Sequence, residues 1–160
     1  MQNDITIKEH ESGDGFLLTA SMTVSKPIEE VFEFFSDAGN LETITPEFLN
    51  FRILSQLPIE MEVGALIDYR LRLYGIPFRW RTKISHWEPP VRFVDEQMRG
   101  PYRQWHHEHT FETVAEGTLC KDLVHYKVPL GKLVNGIFVE RNIRKIFEHR
   151  QTKLRECFGG

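Results

Sequence analysis

The sequence is poor in most of the features that announce a specialised protein. Its two cysteines, Cys120 and Cys157, stand far apart with no metal-ligand spacing, which argues against a disulfide framework or a zinc finger. No run approaches the ~18 apolar residues of a membrane-spanning helix, and Met1-Gln2-Asn3-Asp4 lacks the basic-then-apolar order of a secretion signal. A cytoplasmic location is expected. Neither sign of charge dominates: 20 Lys and Arg against 23 Asp and Glu give a formal net charge of −3. Composition therefore makes no electrostatic case for nucleic acid or for an anionic membrane surface. The densest basic group, Arg70, Arg72, Arg79, Arg81 and Lys83, alternates with apolar residues on strand-like segments. Phosphate loops, dinucleotide fingerprints, His-Glu-x-x-His and nucleophile elbows are missing, so neither cofactor nor metal is expected. Repeats, linkers and low-complexity tracts are missing too, which leaves 1–160 a single domain.

What is present is periodicity. From Lys132 to Phe158, the residues Val139, Ile143, Ile146, Phe147, Leu154, Cys157 and Phe158 recur at spacings of three and four, the stripe of a long amphipathic helix. Arg150 falls in the middle of that stripe, where a charge needs a partner: an anionic ligand, a strand carboxylate, or a route to the helix edge. Cys120 and Cys157 are expected to act as small buried hydrophobes.

Ahead of that helix the chain reads mostly as strands. Phe16 to Val24 alternates strictly between apolar and polar residues, and Asp4 to His10 is either an extra edge strand or a loose terminus. Ser25-Lys26-Pro27 opens a helix, with Ser25 as its expected cap and Gly39 as its stop, and Asn40 to Thr45 forms a second short helical piece. Strands are expected at Leu49–Leu54, Leu66–Leu73, Phe78–Trp87, Val91–Arg99, Arg103–Val114 and Thr118–Val128, separated by Gly- and Pro-bearing turns.

That order resembles the helix-grip fold of the START-like (Bet v 1-like, SRPBCC) superfamily. The residues that carry the likeness are Ser25-Lys26-Pro27-Ile28-Glu29-Glu30-Val31-Phe32 at the first helix, then 40–46, Trp87-Glu88-Pro89-Pro90, Arg99-Gly100-Pro101-Tyr102 and 105–111. Within the superfamily they resemble a bacterial ligand-binding branch related to polyketide cyclase/dehydrase proteins. The resemblance implies an α+β fold, a curved antiparallel sheet of about seven strands gripping the terminal helix, with a ligand cavity between them.

Residues expected to line the cavity follow from strand pairing. With Glu116-Gly117 as a two-residue turn, Trp105 would face Val128, His107 Tyr126, His109 Val124 and Phe111 Asp122. The inward row is then Trp105, His107, His109, Phe111, Asp122, Val124 and Tyr126, and either Glu96 and Met98 or Asp95 and Gln97 neighbour it. This row admits a purely structural role, with Asp122 fixing a histidine tautomer. It also admits a ligand pocket, or a metal pair at His107 and His109 that would need a third ligand such as Asp122 or Glu96. The expected ligand-binding set is Trp80, Arg81, Trp105, His107, His109, Tyr126, Phe147 and Arg150, and the expected partner is a small hydrophobic molecule. For a cofactor-independent cyclase or dehydratase, His107 or His109 would be the general base. Asp122 would orient it, and Tyr126 or Arg81 would stabilise an enolate oxygen. A third possibility is an interaction module with a filled cavity.

Overall fold

The strict alternation of Phe16–Val24 becomes strand β2 over those same residues in a computed structural model, which describes residues 4–159. The expectation placed on Met1–Asn3 lies outside the described residues. Asp4–Glu9 is strand β1, pairing antiparallel with β2 and adding an eighth strand to the sheet. The others are β3 (Arg52–Ile53), β4 (Leu66–Leu73), β5 (Ile76–Glu88), β6 (Arg92–Arg99), β7 (Gln104–Val114) and β8 (Gly117–Lys127). Their spatial order is β1-β2-β8-β7-β6-β5-β4-β3. After β2 the chain crosses to the far edge and returns strand by strand, so β8 closes back on β2.

Helix α1 (Ile28–Ser36) fills the crossover with two 3-10 turns, Ala38–Leu41 and Glu47–Leu49. Ser25 is not its cap. Pro27 holds that position in extended conformation without a side-chain bond, because the proline ring already presets the first turn. Nor does Gly39 stop the helix: Asp37 does, and its carboxylate accepts from the Gly39 N–H to open the next turn. The strand expected from Leu49 shrinks to Arg52–Ile53, since Leu49 ends a 3-10 turn and Asn50 is left-handed.

The β7–β8 hairpin corrects the expected register. Val114 pairs with Gly117, so the two-residue loop is Ala115-Glu116. Trp105 therefore faces Tyr126, His107 faces Val124, His109 faces Asp122 and Phe111 faces Cys120. The slip is two residues, which leaves every side chain on its expected face. Gly117 is required there: its φ is +135°, and a Cβ would lie 2.1 Å from the Val24 carbonyl oxygen.

The terminal helix is continuous from 131 to 158 but not uniform. A short α2 (Gly131–Val134) passes through a π-helical turn, Asn135–Val139, into α3 (Glu140–Phe158). Ile143, Phe147, Leu154 and Phe158 bury the expected stripe against the sheet. Cys157, at its margin, is exposed, contrary to expectation, whereas Cys120 is buried and its thiol is pushed up to about 12 by burial.

Three apolar clusters support this frame. One joins α1 to the middle of the sheet (Phe32, Ile84, Phe93, Phe111) and the end of α3. A second joins β2 and β8 to α3 (Leu18, Val124, Tyr126, Phe147), and a third lies under β4 and β5 (Leu49, Phe51, Leu71, Trp80). They leave a space where they meet.

Candidate functional site

That space is a cavity of about 180 Å³, with walls drawn from all three clusters: Ile84 and Phe93, Ile143 and Phe147, Leu71 and Trp80. An apolar cavity of about 150 Å³ can hold a benzene ring, so the size suits a molecule of one or two rings. Most of its wall is aliphatic or aromatic. At one place the Trp80 indole N–H donates to Thr82 Oγ1 (3.1 Å), 3.3 Å from the Tyr69 hydroxyl.

The other polar wall is a buried cluster. His107 and His109, two apart on β7, project from one face with rings stacked at 3.7 Å. His107 Nε2 bonds Asp122 Oδ1 at 2.7 Å, and His109 Nε2 bonds Asp95 Oδ2 at 2.6 Å. Each histidine also nears the other's carboxylate: His109 Nδ1 lies 3.3 Å from Asp122 Oδ1 and His107 Nδ1 lies 3.8 Å from Asp95 Oδ2. From α3, Arg150 brings Nη2 to 3.4 Å from Asp122 Oδ1 and 3.3 Å from His109 Nδ1, its guanidinium 5.1 Å above the Phe35 ring. Phe93 stacks on the outer face of His109 at 4.0 Å. Arg150 Nε is buried with no hydrogen-bond partner.

The electrostatics follow from this packing. Burial raises Asp122, but Arg150, His107 and His109 outweigh it and hold the carboxyl well below its ordinary range. Asp95 is lowered too: burial opposes it, and the charges of His107, His109 and Arg150 prevail. The two histidines are pushed apart. Burial and the charge of His109 lower His107 despite its carboxylates, whereas in His109 the bonds to Asp122 and Asp95 overcome burial and raise it. The packing thus makes His109 the histidine that holds a proton more tightly and His107 the one that gives it up more readily, with two carboxylates facing the pair and Arg150.

Of the sequence-predicted residues, the structure brings Trp80, Trp105, His107, His109, Phe147 and Arg150 to the cavity wall. Asp122 lies behind the histidines and binds both. Two residues fall elsewhere. Arg81 is on the outer face, half-exposed and bonded to Asp68 at 2.8 and 3.0 Å, because its neighbour Trp80 takes the inward position. Tyr126 is fully buried beneath the site, donating to Asn135 Oδ1 at 2.8 Å and packing against Phe16 and Trp105, and is absent from the cavity wall. Neither position serves an enolate oxygen in the cavity.

Asp95 resolves the alternative left open for β6, since Asp95 and not Glu96 or Met98 lines the cavity. Tyr69, Phe35 and Phe93 were not anticipated. Tyr69 was legible, lying on the same alternation as Ile67 and Leu71.

Asp95, His107 and His109 could each offer one ligand atom to a cation, and those atoms lie within 4.8 Å of one another. The stacking works against it. Imidazole lone pairs lie in the ring planes, and these planes are 28° apart at 3.7 Å, so a shared ion would require the rings to separate.

A family model described as polyketide cyclase / dehydrase and lipid transport matches residues 24–154. The chain belongs to that family. It is thereby a member of the START-like superfamily, as expected, with the helix-grip fold. No curated protein sequence matches this polyketide cyclase/dehydrase family member. Among solved structures it is similar to protein Ms6760 of Mycobacterium smegmatis, at 13% identity and a TM-score of 0.70, covering 96% of each chain. It is also similar to CV1439 of Chromobacterium violaceum, at 14% identity and 0.71, covering 90% of this chain and 98% of that one. The major latex-like protein 151 of Panax ginseng is 12% identical with a TM-score of 0.64, over 89% and 96% of the two chains. At these identities the likeness shows the fold alone. Among the described residues no helix is long and apolar enough to cross a membrane.

Proposed function

We propose that the protein binds a small, largely apolar molecule of one or two rings, with one polar group turned toward His107, His109, Asp95 and Arg150. The observation that carries this reading is the contrast in the cavity wall, apolar on most sides with a single charged cluster at one. Two carboxylates already face Arg150 and the histidines, which favours a neutral polar group such as a ketone or hydroxyl over a further carboxylate. The orphaned N–H of Arg150 marks the cluster as short of one acceptor. An open cavity runs against the interaction module with a filled one.

A second reading has an observation of its own. Two stacked histidines in one wall are each bonded to a buried carboxylate, and their surroundings push them in opposite directions, as a base and an acid require. A proton taken up at His107 Nδ1 would meet the Asp95 carboxylate 3.8 Å away. That arrangement suits removal of a proton beside a carbonyl and its return elsewhere, the step a cyclase or dehydratase needs.

One probe tests both readings. 2-Tetralone is a two-ring ketone with acidic C–H bonds beside its carbonyl. Binding should change tryptophan emission through Trp80 and Trp105, both in the wall. Deuterium exchange at the α-carbon, followed by proton NMR, reads the chemistry. Binding without accelerated exchange supports the binder, and exchange abolished by His107→Gln with binding retained supports the enzyme. No change in emission with 2-tetralone or its one-ring analogues counts against both.

A further inference from the structure

The basic residues that alternate along β4 and β5 are not dispersed once the sheet forms. Alternation sends Ile67, Tyr69, Leu71, Trp80 and Thr82 inward and their charged neighbours outward. In register across the strands, Arg52 faces Arg70 and Arg70 faces Arg79, while Asp68 faces Arg81 and Arg81 faces Arg99. Two neighbouring rows thus hold five arginines and one aspartate. Asp68 is engaged by Arg81, and Arg52 lies 3.9 Å from Glu42. Among the described residues Arg70, Arg72, Arg79 and Arg99 have no ion pair.

Like charges directly opposite one another across strands destabilise a sheet. A face that sets the single aspartate Asp68 against five arginines keeps a surplus of positive charge suited to an anionic partner, and arginine forks favour phosphate and carboxylate. The same face carries apolar side chains. Leu54, Leu66 and Met98, exposed at 46%, 46% and 59%, line a groove of about 470 Å³ with Arg79, Arg81 and Arg99. At the end of the β4–β5 hairpin, Tyr74 and Ile76 are exposed, and the Tyr74 hydroxyl donates to the Phe138 carbonyl at 2.7 Å. That contact links the arginine face to the exposed Phe138, Ile137 and Leu133 of the terminal helix.

We propose that the outer face of β3–β6, together with the β4–β5 tip, docks on the surface of an anionic lipid bilayer. Arginines would engage headgroup phosphates and carboxylates while Leu66, Met98, Tyr74 and Ile76 enter the headgroup boundary. Exposed aliphatic side chains among the charges favour a bilayer over nucleic acid, whose single strands are held by stacking aromatics. The inference stands whether or not the cavity binds its proposed ligand. It also departs from composition: a formal charge of −3 conceals a face of the opposite sign.

Vesicle flotation tests it, with phosphatidylcholine alone and with phosphatidylcholine containing phosphatidylserine. We expect binding only to the anionic vesicles, and its loss in about 0.5 M NaCl, where screening is strong. Arg70→Gln/Arg79→Gln should weaken binding roughly 30-fold with an unchanged or raised melting temperature. Leu66→Ser/Met98→Ser should weaken it further. The proposal is overturned by absence of flotation at low salt, by binding that the arginine pair does not affect, or by single-stranded DNA competing the protein off the vesicles.

Discussion

Arg150→Met is the substitution that bears most directly on the buried cluster. Methionine keeps the length and flexibility of the arginine stem and can occupy its track past Phe35. What disappears is the cation 3.4 Å from Asp122 Oδ1, in a site where both side chains are nearly enclosed. Removing one partner of a buried pair costs about 3–5 kcal/mol, because the remaining charge stays buried. Against this, the variant no longer buries the unpaired Arg150 Nε, recovering about 1–3 kcal/mol. The difference is about 2 kcal/mol at neutral pH, or roughly 4–8 °C in melting temperature for a chain of this size. The loss depends on pH. Asp122 is held below its ordinary value of 3.8, so its contribution is present above that value and is lost as pH falls through the folded one. Without Arg150 the depression is smaller, and the two stability curves should converge in acid. Asp122→Asn added to the variant should recover part of the loss at neutral pH. Thermal unfolding of the three proteins by circular dichroism, at neutral and acid pH, makes the comparison. An Arg150→Met protein as stable as the parent at neutral pH, or one that Asp122→Asn does not rescue, would refute the reasoning.

The histidines predict opposite limbs in the pH dependence of stability. His107 is lowered from 6.5, so its contribution is present above that value and is lost as pH falls through the folded one; His109 is raised, so its contribution is present below 6.5 and is lost as pH rises through the folded one. Urea unfolding across that range should therefore lose its acid-side limb in His107→Gln and its alkaline-side limb in His109→Gln. Tyr126→Phe leaves Asn135 Oδ1 without its donor in a buried site and should cost about 1–3 kcal/mol by urea unfolding, with affinity for 2-tetralone unchanged. Arg81→Ala should likewise leave that affinity unchanged by tryptophan emission, because its side chain lies on the outside of the sheet.

Face assignments were legible in the sequence, because a period of two or of 3.6 is local. That is why Arg150 could be placed on the helix stripe from spacing alone, and why His107 and His109 kept their inward face although the assumed pairing was two residues out. Pairing is less local. The β7–β8 slip came from choosing Glu116-Gly117 as the loop when Gly117 is needed inside the hairpin, at φ +135° against the end of β2. Asp95 could not be chosen over Glu96, because that choice depends on the β6–β7 register, which sets Asp95 opposite His107, and residues 100–103 separate the two strands without a tight two-residue turn to fix it. The π turn at Asn135–Val139 was equally hidden. Its extra residue rotates what precedes it, leaving Leu133 and Ile137 exposed while Ile143 and Phe147 remain buried. Tyr126 was assigned to the cavity for its direction, whereas its depth depends on how α2 and the π turn cover β8. The arginine rows were visible as alternation, but only the register across β3–β6 places them side by side.

Native mass spectrometry of the purified protein, repeated after denaturation, addresses the central claim most directly. The account predicts an organic molecule of one or two rings that denaturation releases, or a one-to-one complex once 2-tetralone is added. A bare chain that forms no complex with 2-tetralone or with its one-ring analogues would contradict it.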